Sequence, residues 1–420
     1  MATIGGEESQ MSWPTAPYAS QRVSGVRDAF TDLFETIGAG ALERETDAEL
    51  PLAEVELLKS AGFGALRVPA EFGGGGLSWT EIAPLWVDLA AADANLPQAL
   101  RGHFTFVEDR VFHHRRGGDE SRWFRRFVDG QIVGNAWTET GSTAIGDLQT
   151  VVTSRGDRLV VNGRKYYTTG TRFAEWADVY ARFDDGARSD VVVAAVHTGQ
   201  SGVVVHDDWD GFGQRGTGSG TAEFADAVVD PAEVTPFELR HPYQTALYQL
   251  NLVATLAGIA RAIVRDVVAE VRARERNYSH ANTSRVRDDP QILALVGEIS
   301  AAATASEALT QRVAVAIDAA ADPALSAEEL ATASEAAELE AAAAQVVVSR
   351  LVVQAASDLF DALGASATSA RRGLDRHWRN ARTVASHNPR LFKARVLGDF
   401  AVNGTPPPYA WSIGTTPSRP

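Results

Sequence analysis

Nine histidines and no cysteine define the side-chain chemistry open to this 420-residue chain. Without a thiol there is no disulfide, zinc–thiolate centre, iron–sulfur cluster or cysteine nucleophile. Proton transfer near neutral pH then falls to histidine, whose ordinary pKa lies in that range. His387 stands in Ser386-His387-Asn388-Pro389. A residue before proline is pushed out of helical conformation, so a helix is expected to break here. A break can aim the imidazole into a pocket. Equally, a histidine at a helix end can bond a free carbonyl. His377, on the preceding helix, reads as structural. His113 and His114 are adjacent, point to different faces of a helix and lack partners for a metal site. Gly211-Phe212-Gly213-Gln214-Arg215-Gly216 matches G-x-G-x-x-G, but no strand leads into it and no helix follows. A dinucleotide fold, and with it direct NADH binding, is not expected. Arg155-Gly156-Asp157 reads as a hairpin turn, Asn277-Tyr278-Ser279 as a chance sequon, and no G-x-S-x-G hydrolase constellation occurs.

The elements that must position these residues fall into three regions. Residues 21–130 read as helices broken by Gly and Pro. Leu50 to Ala61 has helical spacing, and Ser78 with Glu81 forms a capping box for a helix carrying Ile82, Leu85 and Leu89. Residues 131–236 read as short strands: Thr150 to Ser154, Leu159 to Val161, Asp178 to Phe183, Asp190 to His197, Gly202 to His206 and Thr221 to Val229. Asn162-Gly163 is a type I′ hairpin signal before a further strand, Arg164 to Thr169. Such spacing without helices predicts an antiparallel barrel or sandwich. Residues 237–420 read as long Ala-rich helices, Tyr248 to Arg274, Pro290 to Ala321 and Ser326 to Leu363, the last opened by a Ser326/Glu329 capping box. Such helices, about 45–50 Å long, predict a bundle. Ala341 to Ala344 reads as small residues at close helix crossings. The fold class is α+β, with a β-domain between two helical ones.

Charge and hydropathy narrow the partners. Thirty-nine basic and 54 acidic residues give 39 − 54 = −15, which repels nucleic acid and anionic lipid. No apolar run approaches the roughly 18–20 residues of a membrane span. Residues 1–20 are polar, read as flexible, and lack the features of a signal peptide. A cytoplasmic enzyme is the expectation.

Four segments carry a family resemblance. Gly64-Ala65-Leu66-Arg67-Val68-Pro69, with the glycine run after it, resembles an N-terminal segment of the acyl-CoA dehydrogenase family. Trp137-Thr138-Glu139-Thr140-Gly141-Ser142 resembles its first flavin loop. Asn162-Gly163-Arg164-Lys165-Tyr166-Tyr167-Thr168-Thr169-Gly170 resembles its second. Phe212 to Gly220 resembles the segment before its last barrel strand. The family's Tyr-Glu-Gly-Thr stretch, which holds the dehydrogenase's carboxylate base, is absent. In its place, His377 to Asp399 resembles the flavin-dependent monooxygenase branch of the fold, where dibenzothiophene and sulfur-acquisition monooxygenases belong.

The resemblance implies reduced FMN supplied by a separate NAD(P)H:flavin reductase, O2, a small organosulfur substrate and a flavin C4a-hydroperoxide shielded from water. Amine or aromatic hydroxylation, FAD in place of FMN, and an FAD-dependent acyl-CoA dehydrogenase are the alternatives. A histidine where the dehydrogenases keep a carboxylate suits oxygenation better than desaturation. By the same resemblance His387, His103 and Thr169 are catalytic, with Thr169 facing flavin N5. Tyr167 packs on the ring; Asn135, Thr138, Gly141 and Ser142 contact its pyrimidine or phosphate; Trp209 and Ser219 add further contacts. Arg276 and Arg372 would reach the flavin of a neighbouring subunit, which implies a homodimer or homotetramer. Taken without the resemblance, His103 reads as a satisfied core histidine, Tyr167 and Thr169 as ordinary strand residues and each arginine as an ion pair. Glu139 reads as shaping its turn.

Overall fold

The computed structural model describes residues 21–140, 147–184, 186 and 189–408. Among the described residues seven helices come first: α1 (Gln21–Ala39), α2 (Ala41–Asp47), α3 (Leu52–Ser60), α4 (Trp79–Ala92), α5 (Asn95–Ala99), α6 (Arg101–Arg115) and α7 (Ser121–Val128). The capping box of α4 forms, with Ser78 N donating to Glu81 Oε2 at 2.8 Å. Trp79, Trp86 and Phe104 pack edge-on or tilted at the centre of this domain, joining α4 to α6.

Eight strands follow: β1 (Val133–Ala136), β2 (Val151–Arg155), β3 (Arg158–Lys165), β4 (Trp176–Asp184), β5 (Ser189–His197), β6 (Val203–Val205), β7 (Ala222–Val229) and β8 (Val234–Pro236). They form one sheet in the order β6-β7-β3-β2-β4-β5-β8, with β1 paired to β4 off this path. Val152, Val161, Val179, Val192 and Phe224 share one core cluster, so the sheet curls around its own apolar face. Two sequence expectations are corrected. The sheet is not wholly antiparallel, because β1 and β2 both run parallel to β4. Nor does Asn162-Gly163 turn the chain. It is a bulge inside β3, where the register against β7 shifts between Val161 and Gly163. Gly163 has φ 153°, and a Cβ there would sit 2.5 Å from Thr150 Oγ1. The glycine is needed for close approach and conformational freedom, and here both serve a bulge. Strand β3 then ends at Lys165, leaving Tyr166 to Thr169 outside regular pairing.

Among the described residues five helices follow: α8 (Gln244–Ala273), α9 (Pro290–Ala320), α10 (Ala327–Leu363), α11 (Asp375–Ser386) and α12 (Arg390–Asn403). Helix α8 is the hub, buried along Ala246 to Ile263 against α4, α9 and α10. Ala341, Ala342 and Ala344 are buried at the crossings of α10. Asp318 of α9 accepts from the Trp79 and Thr80 backbone N–H groups at 2.8 and 2.9 Å, tying the bundle to the start of α4. One helix departs from the membrane expectation. By length and composition α9 is apolar enough to cross a bilayer, with a mean hydropathy of 1.4 over its most apolar window, only 17% of which is buried in this chain. Alanine supplies much of that hydropathy, so no run of large apolar side chains had revealed it.

Candidate active site

The end of β1 and the segment after β3 meet edge to edge. Asn135 N donates to Thr169 O at 3.0 Å, Thr171 Oγ1 to Asn135 O at 3.1 Å, and Tyr166 N to Thr138 O at 2.9 Å. The Phe212–Gly220 segment closes on them through hydroxyls. Thr169 Oγ1 lies 2.8 Å from Ser219 Oγ, which lies 2.7 Å from Thr217 Oγ1, and Thr217 donates to Gln214 O at 2.8 Å. Each hydroxyl has one proton. The carbonyl at the far end takes that of Thr217, so Ser219 donates to Thr217 and Thr169 to Ser219. Thr169 Oγ1 is left with acceptor capacity alone. Glu139 shapes its turn as read, accepting from Gln149 N and Thr150 N at 2.9 Å each and pairing with Lys165 Nζ at 2.7 Å.

Helix α6 begins against β1. A Cβ at Gly102 would stand 3.0 Å from the Cβ of Asn135, so glycine lets the two backbones meet. This contact sets Arg101 beside the Asn135–Thr169 edge. Arg101 is 6% exposed, and its guanidinium lies 4.8 Å from the Tyr248 ring centroid at the start of α8. Its Nη2 is 3.0 Å from His387 Nε2 at the end of α11. Arginine can only donate, so Nε2 is the acceptor and the imidazole proton sits on Nδ1. The surrounding protein and then the Arg101 charge hold the His387 pKa below its ordinary value, so the ring is neutral at pH 7. His387 is nevertheless exposed. Burial pulls Arg101 down to about 10, against the opposing influence of Tyr248, and it stays charged. Among the described residues no carboxylate pairs with it. Arg101 Nε, Tyr248 Oη and Asn135 Oδ1 are all buried without a hydrogen-bond partner. Each of these atoms keeps unspent hydrogen-bonding capacity, and Asn135 Oδ1, like Thr169 Oγ1, can only accept.

The other predicted residues divide. Tyr167 is 45% exposed and meets the Trp209 ring edge-on at 5.7 Å, beside the Thr169 edge. Gly141 and Ser142 lie outside the described residues. His103 makes its contacts elsewhere, within the N-terminal domain and at the start of β1. It is fully buried, with Nε2 donating to Gly64 O at 2.9 Å and Nδ1 accepting from Val133 N at 3.3 Å, so both nitrogens are spent on backbone. Burial also takes its pKa to about 4. His377 is structural, with Nε2 2.8 Å from Asp266 Oδ2 of α8. Arg276 and Arg372 lie past the far end of α8, which runs about 37 Å from Tyr248 to Ala273. Arg372 pairs there with Glu270 at 2.9 Å, and Arg276 is exposed. Within one chain neither reaches Thr169. Reading the sequence missed Arg101 and Tyr248. Nothing in the local pattern marks them, because the signal is the absence of a partner.

Comparison with known proteins fits this geometry. The model of the acyl-CoA dehydrogenase middle domain matches residues 134–227, and that of the C-terminal domain matches residues 250–389. The protein named probable FMNH2-dependent monooxygenase SfnC, from Pseudomonas putida, is 29% identical over 379 residues, 87% of this chain and 92% of its own length. The FMN-bound dibenzothiophene monooxygenase TdsC from Paenibacillus sp. A11-2 superposes with a TM-score of 0.84 at 28% identity, over 92% of this chain and 98% of TdsC. Methanesulfinate monooxygenase MsuC from Pseudomonas fluorescens gives 0.82 at 28% identity, over 93% and 99%. With both domain models in order on the chain and whole-length likeness on either side of them, this protein belongs to the acyl-CoA dehydrogenase family.

Proposed function

We propose that this chain is an FMNH2-dependent monooxygenase that uses O2 to oxygenate a small organosulfur substrate, with reduced FMN delivered by a separate NAD(P)H-dependent reductase. The observation that carries the reading is His387. At the end of α11 stands a neutral imidazole held by Arg101, and among the described residues no carboxylate contacts either. A dehydrogenase needs a carboxylate base there, and none stands beside His387 among the described residues. Bound FMNH2 supplies two electrons and the centre at which O2 is activated.

The chain's own residues do the rest. Thr169 Oγ1, its proton committed to Ser219, and Asn135 Oδ1 would accept from ring N–H groups of the flavin, and Thr138, Tyr167 and Trp209 would border it. Tyr167 offers an exposed aromatic face. His387 holds its proton on Nδ1, while its Nε2 lone pair takes the Arg101 N–H. The placement of Arg276 and Arg372 supports a homodimer or homotetramer, in which each would serve the flavin of a second copy.

The test is turnover under labelled oxygen. The purified chain, FMN, a flavin reductase and 18O2 are given methanesulfinate, dimethyl sulfone or dibenzothiophene, and the product is weighed. One labelled oxygen per product is the expected result. Absence of label with all three, together with no FMNH2 binding, overturns the reading. Bleaching of a bound FAD by an acyl-CoA without oxygen would replace it with a dehydrogenase.

A further inference from the structure

We infer that Arg101 makes this site select an anionic substrate, one presenting two oxygens of a sulfinate or carboxylate to the guanidinium fork and the Tyr248 hydroxyl. Only the fate of the bound anion rests on the monooxygenase reading; its capture does not.

Every neighbouring buried charge on α6 is matched. Glu108 takes Arg67 Nε at 2.6 Å and Nη2 at 3.1 Å, and Asp109 forms an ion pair with Arg240, Nε lying 2.6 Å from Oδ2. Arg101, on the first turn of the same helix, has a neutral acceptor on Nη2 and an aromatic face beneath, and its Nε is unspent. Tyr248 Oη, on that aromatic ring, is unspent too. A desolvated cation without a counter-ion is costly to keep, so a partner from outside the fold is the economical explanation. The fork geometry narrows the partner, because a guanidinium binds two oxygens of one planar or pyramidal anion through parallel N–H bonds. His387, whose Nε2 lies 3.0 Å from Arg101 Nη2, is exposed, so solvent comes within one side chain of the guanidinium. A sulfinate held by both oxygens keeps its sulfur lone pair free. Oxygen transfer then balances as RSO2⁻ + O2 + 2e⁻ + 2H⁺ → RSO3⁻ + H2O, with the electrons from FMNH2. An S–O bond forms, the O–O bond breaks, and the second oxygen leaves as water.

The experiment is a binding comparison on the full chain, with and without FMN. Ethanesulfinate, propionate and the neutral ethyl methyl sulfoxide are titrated by calorimetry. The wild type should bind an anion about 10- to 150-fold more tightly than the sulfoxide, the span of one charge-assisted hydrogen bond. Arg101→Gln should erase that preference, and Arg101→Lys should restore part of it. FMN affinity should stay within about threefold. Tighter binding of ethanesulfinate than propionate assigns the sulfinate source, and the reverse assigns the carboxylate. Equal binding of anions and sulfoxide by the wild type overturns the inference without any variant. So does a loss of FMN affinity in Arg101→Gln with the preference intact, which would give Arg101 to the cofactor. An anion preference in a chain that binds no FMNH2 would sink the proposed function and leave the anion site standing.

Discussion

Helix α6 buries charge twice, and the two ends treat it differently. Near its middle, Glu108 and Asp109 are locked to Arg67 and Arg240, and Tyr243 Oη donates to Glu108 at 2.6 Å. Burial raises the cost of the charge there, yet the Arg67 guanidinium still holds the Glu108 carboxyl below its usual range. Seven residues earlier, about 10 Å along the axis, Arg101 is as deeply buried and has no such lock. The first arrangement is closed and can only hold helices together. The second is open, since no carboxylate among the described residues meets Arg101. Buried charge is therefore not by itself a sign of function; its unmatched valence is.

That contrast can be broken at several points. The largest effect is expected in the closed region. Arg67→Met strands Glu108 without its cation and should lower the unfolding free energy by about 3–5 kcal/mol, read from urea or guanidinium melts. A loss under 1 kcal/mol would show that the lock holds nothing. In the open region the damage should fall on chemistry. His387→Ala should cut product formation by about 10²- to 10⁴-fold while FMN affinity and the melting midpoint barely move. Equal losses of fold and activity would return His387 to a structural role.

Acid should test the sealed histidines next. His103 and His241 are fully buried, and burial takes each from 6.5 to about 4. An unfolded imidazole takes up its proton near 6.5 and the folded one only near 4, so acid favours unfolding. Stability should be full above pH 6.5 and fall through that window, by up to about 1.4 kcal/mol per pH unit for each histidine. A flat profile from pH 7 to 5 would contradict the sealed description of His103.

Smaller still, Arg101→Met should raise the unfolding free energy of the ligand-free chain by about 1 kcal/mol, because an unmatched cation is replaced by an apolar side chain of similar length. Destabilisation comparable to Arg67→Met would erase the difference between the two ends of α6. The least effect on stability, within about 0.5 kcal/mol, belongs to Arg276→Gln on the exposed far end of α8. If that variant also keeps full FMN affinity in the assembled protein, the cross-subunit role goes.

The sequence alone was enough for whatever depends on neighbours a few residues away. The Ser78/Glu81 and Ser326/Glu329 caps, the long helices and the break between α11 and α12 are all set by spacing within one or two turns. The family motifs brought Asn135, Thr169 and His387 into view for the same reason, since each sits in a short recognisable string. Short-range signals also misled. Asn162-Gly163 has the composition of a turn, but β3 must pair with both β2 and β7, and the sheet converts the glycine into a bulge. The motif around His103 suggested chemistry, and packing against Gly64 and Val133 took both its nitrogens. Only the tertiary structure could decide which buried groups were matched. Arg101 and His387 are 286 residues apart in sequence and 3.0 Å apart in space. Whether a desolvated charge finds its counter-charge depends on which distant helix the fold lays beside it, and no local pattern encodes that.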